Sequence, residues 1–460
     1  MTGGIQKQAK RRPVKNKFPF LRVANVGRGR LDLGDVHEVE LFEGELERFR
    51  LKCGDLLVVE GNGSPDQVGR AATWHGAIKD AVHQNHLIKV RPTSAIDPKF
   101  LELLWNSPDI ASQLLRVAQS TSGLYTLSTS KLNRVEFALP PLAEQRRIVE
   151  ALEEQLSRLD SGIATLRLAR RRLDGLRKRI LVSSVPDELP ASWEMATVEE
   201  AGTLELGRAR HPDWHHGPDM RPYLRVANVF EDRIDTSDVM EMDFFGVWER
   251  YRLEPGDVLL NEGQSPHLVG RPAIYRGVPA EVAFTNSLLR FKAGDGVLPE
   301  WALLVFRRHL HAKRFMREVR ITTNIAHLSA KRLKTVEFPI PPVEVQEQLV
   351  QRCEELLSGV AAMEQVVSNG VRRANALRAA LLNRAFHGGL VAQPTDDEPA
   401  SMLLARIAAE RAAQPKARRS RKATVEKLAK APAPRAAPPE LLAPEPTAAP
   451  ALAVQQEFDL

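Results

Sequence analysis

Leu21-Arg22-Val23-Ala24-Asn25 returns as Leu224-Arg225-Val226-Ala227-Asn228, and this recurrence decides how the whole chain is read. Moving outward from it, Arg48-Phe49-Arg50-Leu51 with Gly54-Asp55 matches Arg250-Tyr251-Arg252-Leu253 with Gly256-Asp257. Ser64-Pro65 and Val68-Gly69-Arg70 match Ser265-Pro266 and Val269-Gly270-Arg271. Leu127-Ser128, Val135-Glu136-Phe137 and Pro140-Pro141 match Leu328-Ser329, Val336-Glu337-Phe338 and Pro341-Pro342. The offset drifts only from 203 to 201 residues. Solenoid units run to about 20–50 residues, so this period means two copies of a whole domain with its connector. Such a chain presents two similar surfaces at a fixed separation. It suits a partner that also offers two sites at a fixed separation.

Bulk properties narrow the class. The 460 residues leave room for two or three domains. No apolar run is long enough to span a membrane, and no apolar stretch follows the basic N-terminus as a secretory signal would require. Cys53 and Cys353 fall at unmatched places in the repeats. They read as free thiols of a cytoplasmic protein rather than a disulfide. The net charge of +7 is unevenly placed: residues 1–17 hold six Lys or Arg and no acid, and residues 391–460 hold ten basic and nine acidic residues. The body between them is neutral. A nucleic-acid surface there requires basic groups segregated to one face.

Each copy reads as mixed α/β. In the first, Leu21–Val26, Asp55–Glu60 and Leu87–Val90 predict strands, and Phe100–Trp105 and Ile110–Val117 predict helices separated by Ser107-Pro108. After Pro140-Pro141 the pattern becomes heptad. Val149, Leu156 and Ile163 form one seven-spaced row, and Leu152, Leu159, Leu166, Leu173 and Ile180 form another three residues on. The second copy ends on Val350, Cys353, Leu357, Val360, Val367, Val371 and Leu381, interrupted by Glu364 and Arg378 and weakened by Gly359 and Gly370. Two rods of roughly 60 Å are expected, at 1.5 Å per residue. They are expected to pair as an intramolecular antiparallel coiled coil; the alternative is that each packs on its own domain. The expected order is a basic disordered tail (1–17), a first domain (18–141), a first rod (142–185), a second domain (186–342), a second rod (343–390) and a mostly disordered Ala/Pro-rich tail (391–460), with one short helix over Ser401–Ala413.

No catalytic constellation is present in the sequence. There is no P-loop, no glycine-rich turn for a dinucleotide-like cofactor, no Asn/Asp-Pro-Pro-aromatic element and no zinc-spaced cysteine pair. Pro212 breaks helical geometry within the cluster His211, His215 and His216, and no lysine follows Pro186-Asp187-Glu188 at nuclease spacing. Chemistry concentrates instead in polar loop tips. Glu60-Gly61-Asn62-Gly63-Ser64 corresponds to Asn261-Glu262-Gly263-Gln264-Ser265, and Gln84-Asn85-His86 to Thr285-Asn286-Ser287. Thr121-Ser122-Gly123-Leu124-Tyr125 corresponds to Thr322-Thr323-Asn324-Ile325-Ala326, ahead of His327. Glycines permit close backbone approach, and Asn, Gln and Ser offer paired donors and acceptors for base edges. Shared strands with divergent tips suit two readers of different targets; the alternative is a non-catalytic coiled-coil scaffold whose domains read no DNA. Ordinary polar turns are the plainer reading of any single residue. Arg70 and Arg271, like Arg22 and Arg225 beside Asn25 and Asn228, read either as phosphate or guanine ligands or as structural partners.

These residues carry a family resemblance. Leu139-Pro140-Pro141-Leu142-Ala143-Glu144-Gln145 precedes the first rod; Leu189-Pro190 with Trp193 opens the second copy; Arg384-Ala385-Phe386-His387-Gly388-Gly389-Leu390 and Asp396–Leu404 follow the second rod. With Gly256–Leu260 and Thr322–Ser329, they make residues 18–410 resemble the specificity subunits of type I restriction-modification systems. The resemblance implies two target-recognition domains, each reading half of a bipartite asymmetric site in double-stranded DNA, with the rods setting the spacer. It implies no catalysis and no cofactor in this chain. Two modification (methyltransferase) subunits and motor-nuclease restriction subunits would supply S-adenosylmethionine, ATP and Mg chemistry. The first copy lacks a counterpart of the Leu-Pro-x-x-Trp opening and of Thr197–Met220, so a first domain that begins late is expected, through either a misplaced start or a genuinely shortened form. Val343-Glu344-Val345-Gln346 stands where the family pattern is Leu-x-Glu-Gln.

Overall fold

The computed structural model describes residues 1–121, 123–186, 188–322 and 325–413, and residues 1–405 form one compact unit. The duplication seen in the sequence is a duplication of topology. In the first head an antiparallel sheet runs in the spatial order Thr2–Gly3, Leu87–Val90, Leu56–Val59, Ala71–Thr73. In the second the order is Gly202–Leu206, Leu288–Ala293, Val258–Asn261, Pro272–Ile274. Each head adds a mixed three-stranded sheet, with Lys17–Leu21 at its centre in one and Met220–Leu224 in the other.

The central strands are apolar along their whole length because they are covered on both faces. Leu56 and Val58 face the helices Pro98–Trp105 and Pro108–Val117, while Leu57 and Val59 face Leu21, Trp74 and Leu87. The two helices start where the sequence says they should. Asp97 Oδ1 accepts hydrogen bonds from the amides of Lys99 and Phe100, Ser107 caps the second helix, and each carries proline in its first turn.

Each head encloses one histidine that the other lacks, His83 in the first and His309 in the second. His83 is fully enclosed where the second head has Phe284. Burial, aided by the Lys89 ammonium, pushes its pKa down to about 4. The unfolded chain takes up that proton near pH 6.5 and the folded head does not, so stability is lost as pH falls from 6.5 towards 4, by about 3 kcal/mol in all. His83→Phe should remove its share of this acid limb, read as the difference between urea midpoints at pH 7 and pH 4.5, while His309, which burial likewise pushes down to about 4, keeps a share of its own. An unchanged limb would show that another group controls it.

The rods are Leu142–Ser183 and Val343–Phe386. They pair antiparallel: Arg177 meets Glu364 at 2.5 Å, and Asp160 meets Arg378. Thus the two charged residues that interrupt the second seam are partnered across it. Ile163, Leu152, Leu156, Cys353, Leu357, Val360 and Val367 are buried, and the remaining predicted seam residues (Val149, Leu159, Leu166, Leu173, Ile180, Val350, Val371 and Leu381) are half-buried. Gly370 has a packing reason, since a Cβ there would lie 3.1 Å from Leu166 Cδ1. Both expected packings occur together. The start of the first rod (Ile148, Leu152, Leu156) and the end of the second (Leu382, Ala385) enter the core of the first head. Leu181, Cys353 and Leu357 do the same in the second head.

Three sequence expectations need correction. Residues 1–17 are not a disordered tail: Thr2–Gly3 pairs with Leu87–Val90, Ile5 is buried, and Arg11 binds the Glu45 carboxylate with both terminal nitrogens. That pairing supplies the first head with the counterpart of Gly202–Leu206. The strand expected over Leu21–Val26 stops at Leu21, because Val23–Asn25 turns as a 3-10 helix closed by the Asn25 side chain. Residues 391–399 are tied to the first rod: Gln393 donates to Glu144 at 2.8 Å, and Asp397 pairs with Arg147 at 2.5 Å. The helix there is Ala400–Ala413, and residues 414–460 lie outside the described residues.

Candidate nucleic-acid interface

Each head carries a small three-stranded sheet at its tip. In the first, Gly61–Asn62 and Gln119–Thr121 flank Leu124–Thr126, with Asn62 opposite Tyr125. In the second, Gly263–Gln264 and Arg320–Thr322 flank Ile325–His327, with Gly263 opposite His327. Backbone bonds bring in the third loop. The Glu60 amide donates to His86 O and the Leu127 amide to Glu60 O; the Glu262 amide donates to Ser287 O and the Leu328 amide to Glu262 O. Three sequence-distant loops therefore converge twice, with the same wiring. Each tip also holds a carboxylate beside an imidazole: Glu60–His86 at 3.4 Å and Glu262–His327 at 3.3 Å.

The predicted residues divide sharply by what their side chains are doing. Asn25 and Asn228 are buried. Each accepts from the amide of its neighbouring arginine and donates to two carbonyls, of Asp32 and Asp35 in one head and of Asp235 and Asp238 in the other. They pin their own loops. Arg22 and Arg225 pair with Asp35 and Asp238. Arg70 is spent on the carbonyls of Val26, Gln67 and Val23, and Arg271 on that of Val229 and the face of Phe230. Asn261 is fully buried. In this structure these seven side chains are engaged or enclosed within their own heads, which leaves the residues at the tips as the stronger candidates for base contact.

A second set remains at the tips. Asn62, Ser64, Gln84, Asn85 and Tyr125 are half-buried and His86 exposed in the first head. Gln264, Ser265 and His327 are half-buried and Asn286 exposed in the second. Asn62 and Gln264 shape their own turns by accepting from the amides of Ser64 and Ser265. Thr323 and Asn324 lie outside the described residues, as do the side chains of Thr121 and Thr322.

Sequence reasoning missed one built cluster. The Arg208 guanidinium lies 4.1 Å from the Trp214 ring and 5.2 Å from that of Phe244, and donates to Asp243 O. Arg208 and Trp214 fall in the segment without a first-copy counterpart, so comparing the repeats could not flag them. The glutamines at the foot of each rod were visible as part of the family motif, but their structural role was not. Gln145, fully buried, accepts from the Asp97 amide and donates to Ala95 O and Pro140 O. Gln346 repeats this with the Leu298 amide, Gly296 O and Pro341 O. Among the described residues no cluster of His, Cys, Asp or Glu could hold a metal ion, and no helix is long and apolar enough to cross a membrane.

No family model matches the chain. It is, however, similar along most of its length to curated proteins. The type I restriction enzyme EcoKI specificity subunit of Escherichia coli (strain K12) is 24% identical, with 88% of this chain and 91% of that protein covered. The StySPI specificity subunit of Salmonella potsdam is 22% identical over the same shares. A chain solved in work on complex assembly and conformational transition of the type I R-M system has the same fold, with a TM-score of 0.64, 19% identity and coverage of 82% of this chain and 92% of that one. Duplicated heads on paired antiparallel rods, together with this end-to-end likeness, place the chain among the specificity subunits of type I restriction enzymes.

Proposed function

We propose that this chain is the non-catalytic reading subunit of a type I restriction-modification complex. Each head reads one half of a bipartite, asymmetric site in double-stranded DNA and so directs adenine methylation and restriction by partner subunits. The observation that carries this reading is the doubled convergence of three polar loops, wired identically but tipped with different side chains, on heads joined by one rigid strut. Successive major-groove faces on one side of a duplex lie roughly 34 Å apart, within the span of rods about 60 Å long. S-adenosylmethionine, ATP and Mg act in the partners.

Two modification subunits dock on the rods in this proposal. The paired helices expose an apolar strip at Leu168, Met363 and Val366, edged by Arg172 and Arg179, around a groove of about 540 Å³. It fits an amphipathic helix with an acidic rim. Basic groups of the heads would hold the phosphates, so binding to a specific duplex should weaken steeply with salt.

The reading is tested by mapping methylated adenines produced by the assembled complex, which yields both half-sites and the spacer. Gln264→Ala with Asn286→Ala should relax the half-site read by the second head, at about 1–3 kcal/mol for each lost base contact, and leave the other half unchanged. Methylation altered at both halves, or a complex that binds all duplexes alike, would overturn modular reading.

A further inference from the structure

Strand register shows an equivalence that the sequence offset hides. By sequence, Glu60 stands against Asn261. In the sheets, Val59 lies opposite Leu87 and Asn261 opposite Leu288, so Val59 matches Asn261 and Glu60 matches Glu262. The main chain agrees. The Glu60 amide donates to His86 O and its carbonyl accepts from the Leu127 amide, while Glu262 does the same with Ser287 O and Leu328. Both heads therefore set a glutamate at the point where their three loops converge.

Each of these carboxylates has an imidazole as its one side-chain partner among the described residues, at 3.4 Å for Glu60–His86 and 3.3 Å for Glu262–His327. The imidazole comes from a different loop in each head. His86 precedes Leu87, where the second head has Ser287; His327 precedes Leu328, where the first has Thr126. The same pair is thus reached by two routes. In the second head the ring is also fitted to its strand: a Cβ on Gly263 would stand 3.1 Å from His327 Nδ1, although Gly263 has no left-handed backbone angle that calls for glycine. Both carboxylates are half-buried and still reach solvent.

A carboxylate on a surface that must approach phosphates meets repulsion. Finding one at the same spot in both heads points to a contact that offsets it. An ionised carboxylate only accepts hydrogen bonds. On the major-groove edge of a base its partner is an exocyclic amine, N4 of cytosine or N6 of adenine. Thymine O4 and guanine O6 occupy the corresponding places and would face it acceptor to acceptor. We infer that Glu60 and Glu262 are specificity-determining residues, each accepting from the amine of one cytosine or adenine in the half-site its head reads. The imidazole Nδ1–H holds Oε2 and leaves Oε1 to the base. This rests on the reading of the heads as DNA-binding, and adds which base groups they select and which they exclude.

The test uses the assembled methyltransferase complex on a duplex library randomised across both half-sites, with the methylated adenines read by sequencing. Glu262→Gln is the main variant, because an amide offers a donor as well as an acceptor and keeps the shape. One position of the second half-site should relax from a single base to the pair C/T or A/G, its discrimination, about fivefold to a hundredfold in the parent, falling towards none. The first half-site should not change, and Glu60→Gln should do the reverse. A glutamate that merely braces its loop predicts no relaxation, since the glutamine oxygen still accepts from Nδ1–H. An unchanged site therefore overturns the proposal, and so does relaxation at several positions or in both halves at once. Should a variant fail to fold, the parent complex decides. Replacing each amine-bearing base of a half-site in turn by its analogue lacking the amine should weaken binding by the same factor at one position or more; uniform indifference overturns the proposal. A parent that methylates without sequence preference would overturn the reading of the heads as DNA readers, and this proposal with it.

Discussion

Gln145→Ala should destabilise the first head by roughly 3–5 kcal/mol, and Gln346→Ala the second by a similar amount, because each removal leaves several buried backbone groups without a partner. The side chains are fully enclosed, and each makes three hydrogen bonds that join the helix-entry loop of a head, the Pro-Pro turn and the first turn of a rod. The amide is suited to this position. It accepts one N–H and donates to two carbonyls at once, which neither a carboxylate nor an ammonium can do. Gln→Glu should therefore fail nearly as badly as Gln→Ala, through a charge buried against carbonyl oxygens. Arg146→Ala, next door and exposed, should lie within about 0.5 kcal/mol of the parent. Calorimetry of these variants checks this. A loss below about 1 kcal/mol for both Gln→Ala changes would mean that apolar packing alone fixes the heads on the rods.

The same residues show what a sequence can and cannot disclose. The repeat and the heptads were legible because side-chain periodicity reports directly on which face is buried. The seam from Val149 to Ile180, and its partner from Val350 to Leu381, is buried or half-buried throughout. Contacts made through main-chain atoms leave no such trace. Thr2–Gly3 joins a sheet through backbone groups alone, and neighbouring Gly4 is required only because a Cβ would come within 2.2 Å of His83 O. A short basic segment without alternation thus looked like a tail.

At the tips, the set of loops was legible and the roles of single residues were not. Asn25 and Arg70 are the right chemical types for reading DNA. What engages them here are carbonyls at Asp32, Asp35, Val23 and Val26, which only the folded loop brings into range. Their repetition in the second head marked them as shared, and shared residues are what a common scaffold needs. The divergent tip positions, such as His86 against Ser287, are where two readers of different targets would differ.

Ile163→Pro should abolish methylation of the native bipartite site while leaving both heads folded. Ile163 lies near the middle of the 42-residue first rod, buried in the seam and remote from either head core. Proline there removes the hydrogen bond to the Leu159 carbonyl and drives its ring against that oxygen, at a cost of about 3 kcal/mol or more. The geometric consequence is larger than the energetic one. A kink of about 20° or more, acting over a half-rod of about 30 Å, moves one head by on the order of 10 Å. Base pairs rise about 3.4 Å along the duplex, so the displacement amounts to several base pairs. A head shifted that far no longer meets its half-site when the other is engaged. Ile163→Leu keeps the seam apolar and should retain activity. The discriminating measurement is methylation by the assembled complex on duplexes with the native spacer and with spacers lengthened or shortened by one to four base pairs. Loss on the native spacer, with circular dichroism still showing folded heads, is the expected result. Undiminished methylation at the native spacer would mean that the rods do not set the distance between the heads, and that the partner subunits hold them instead.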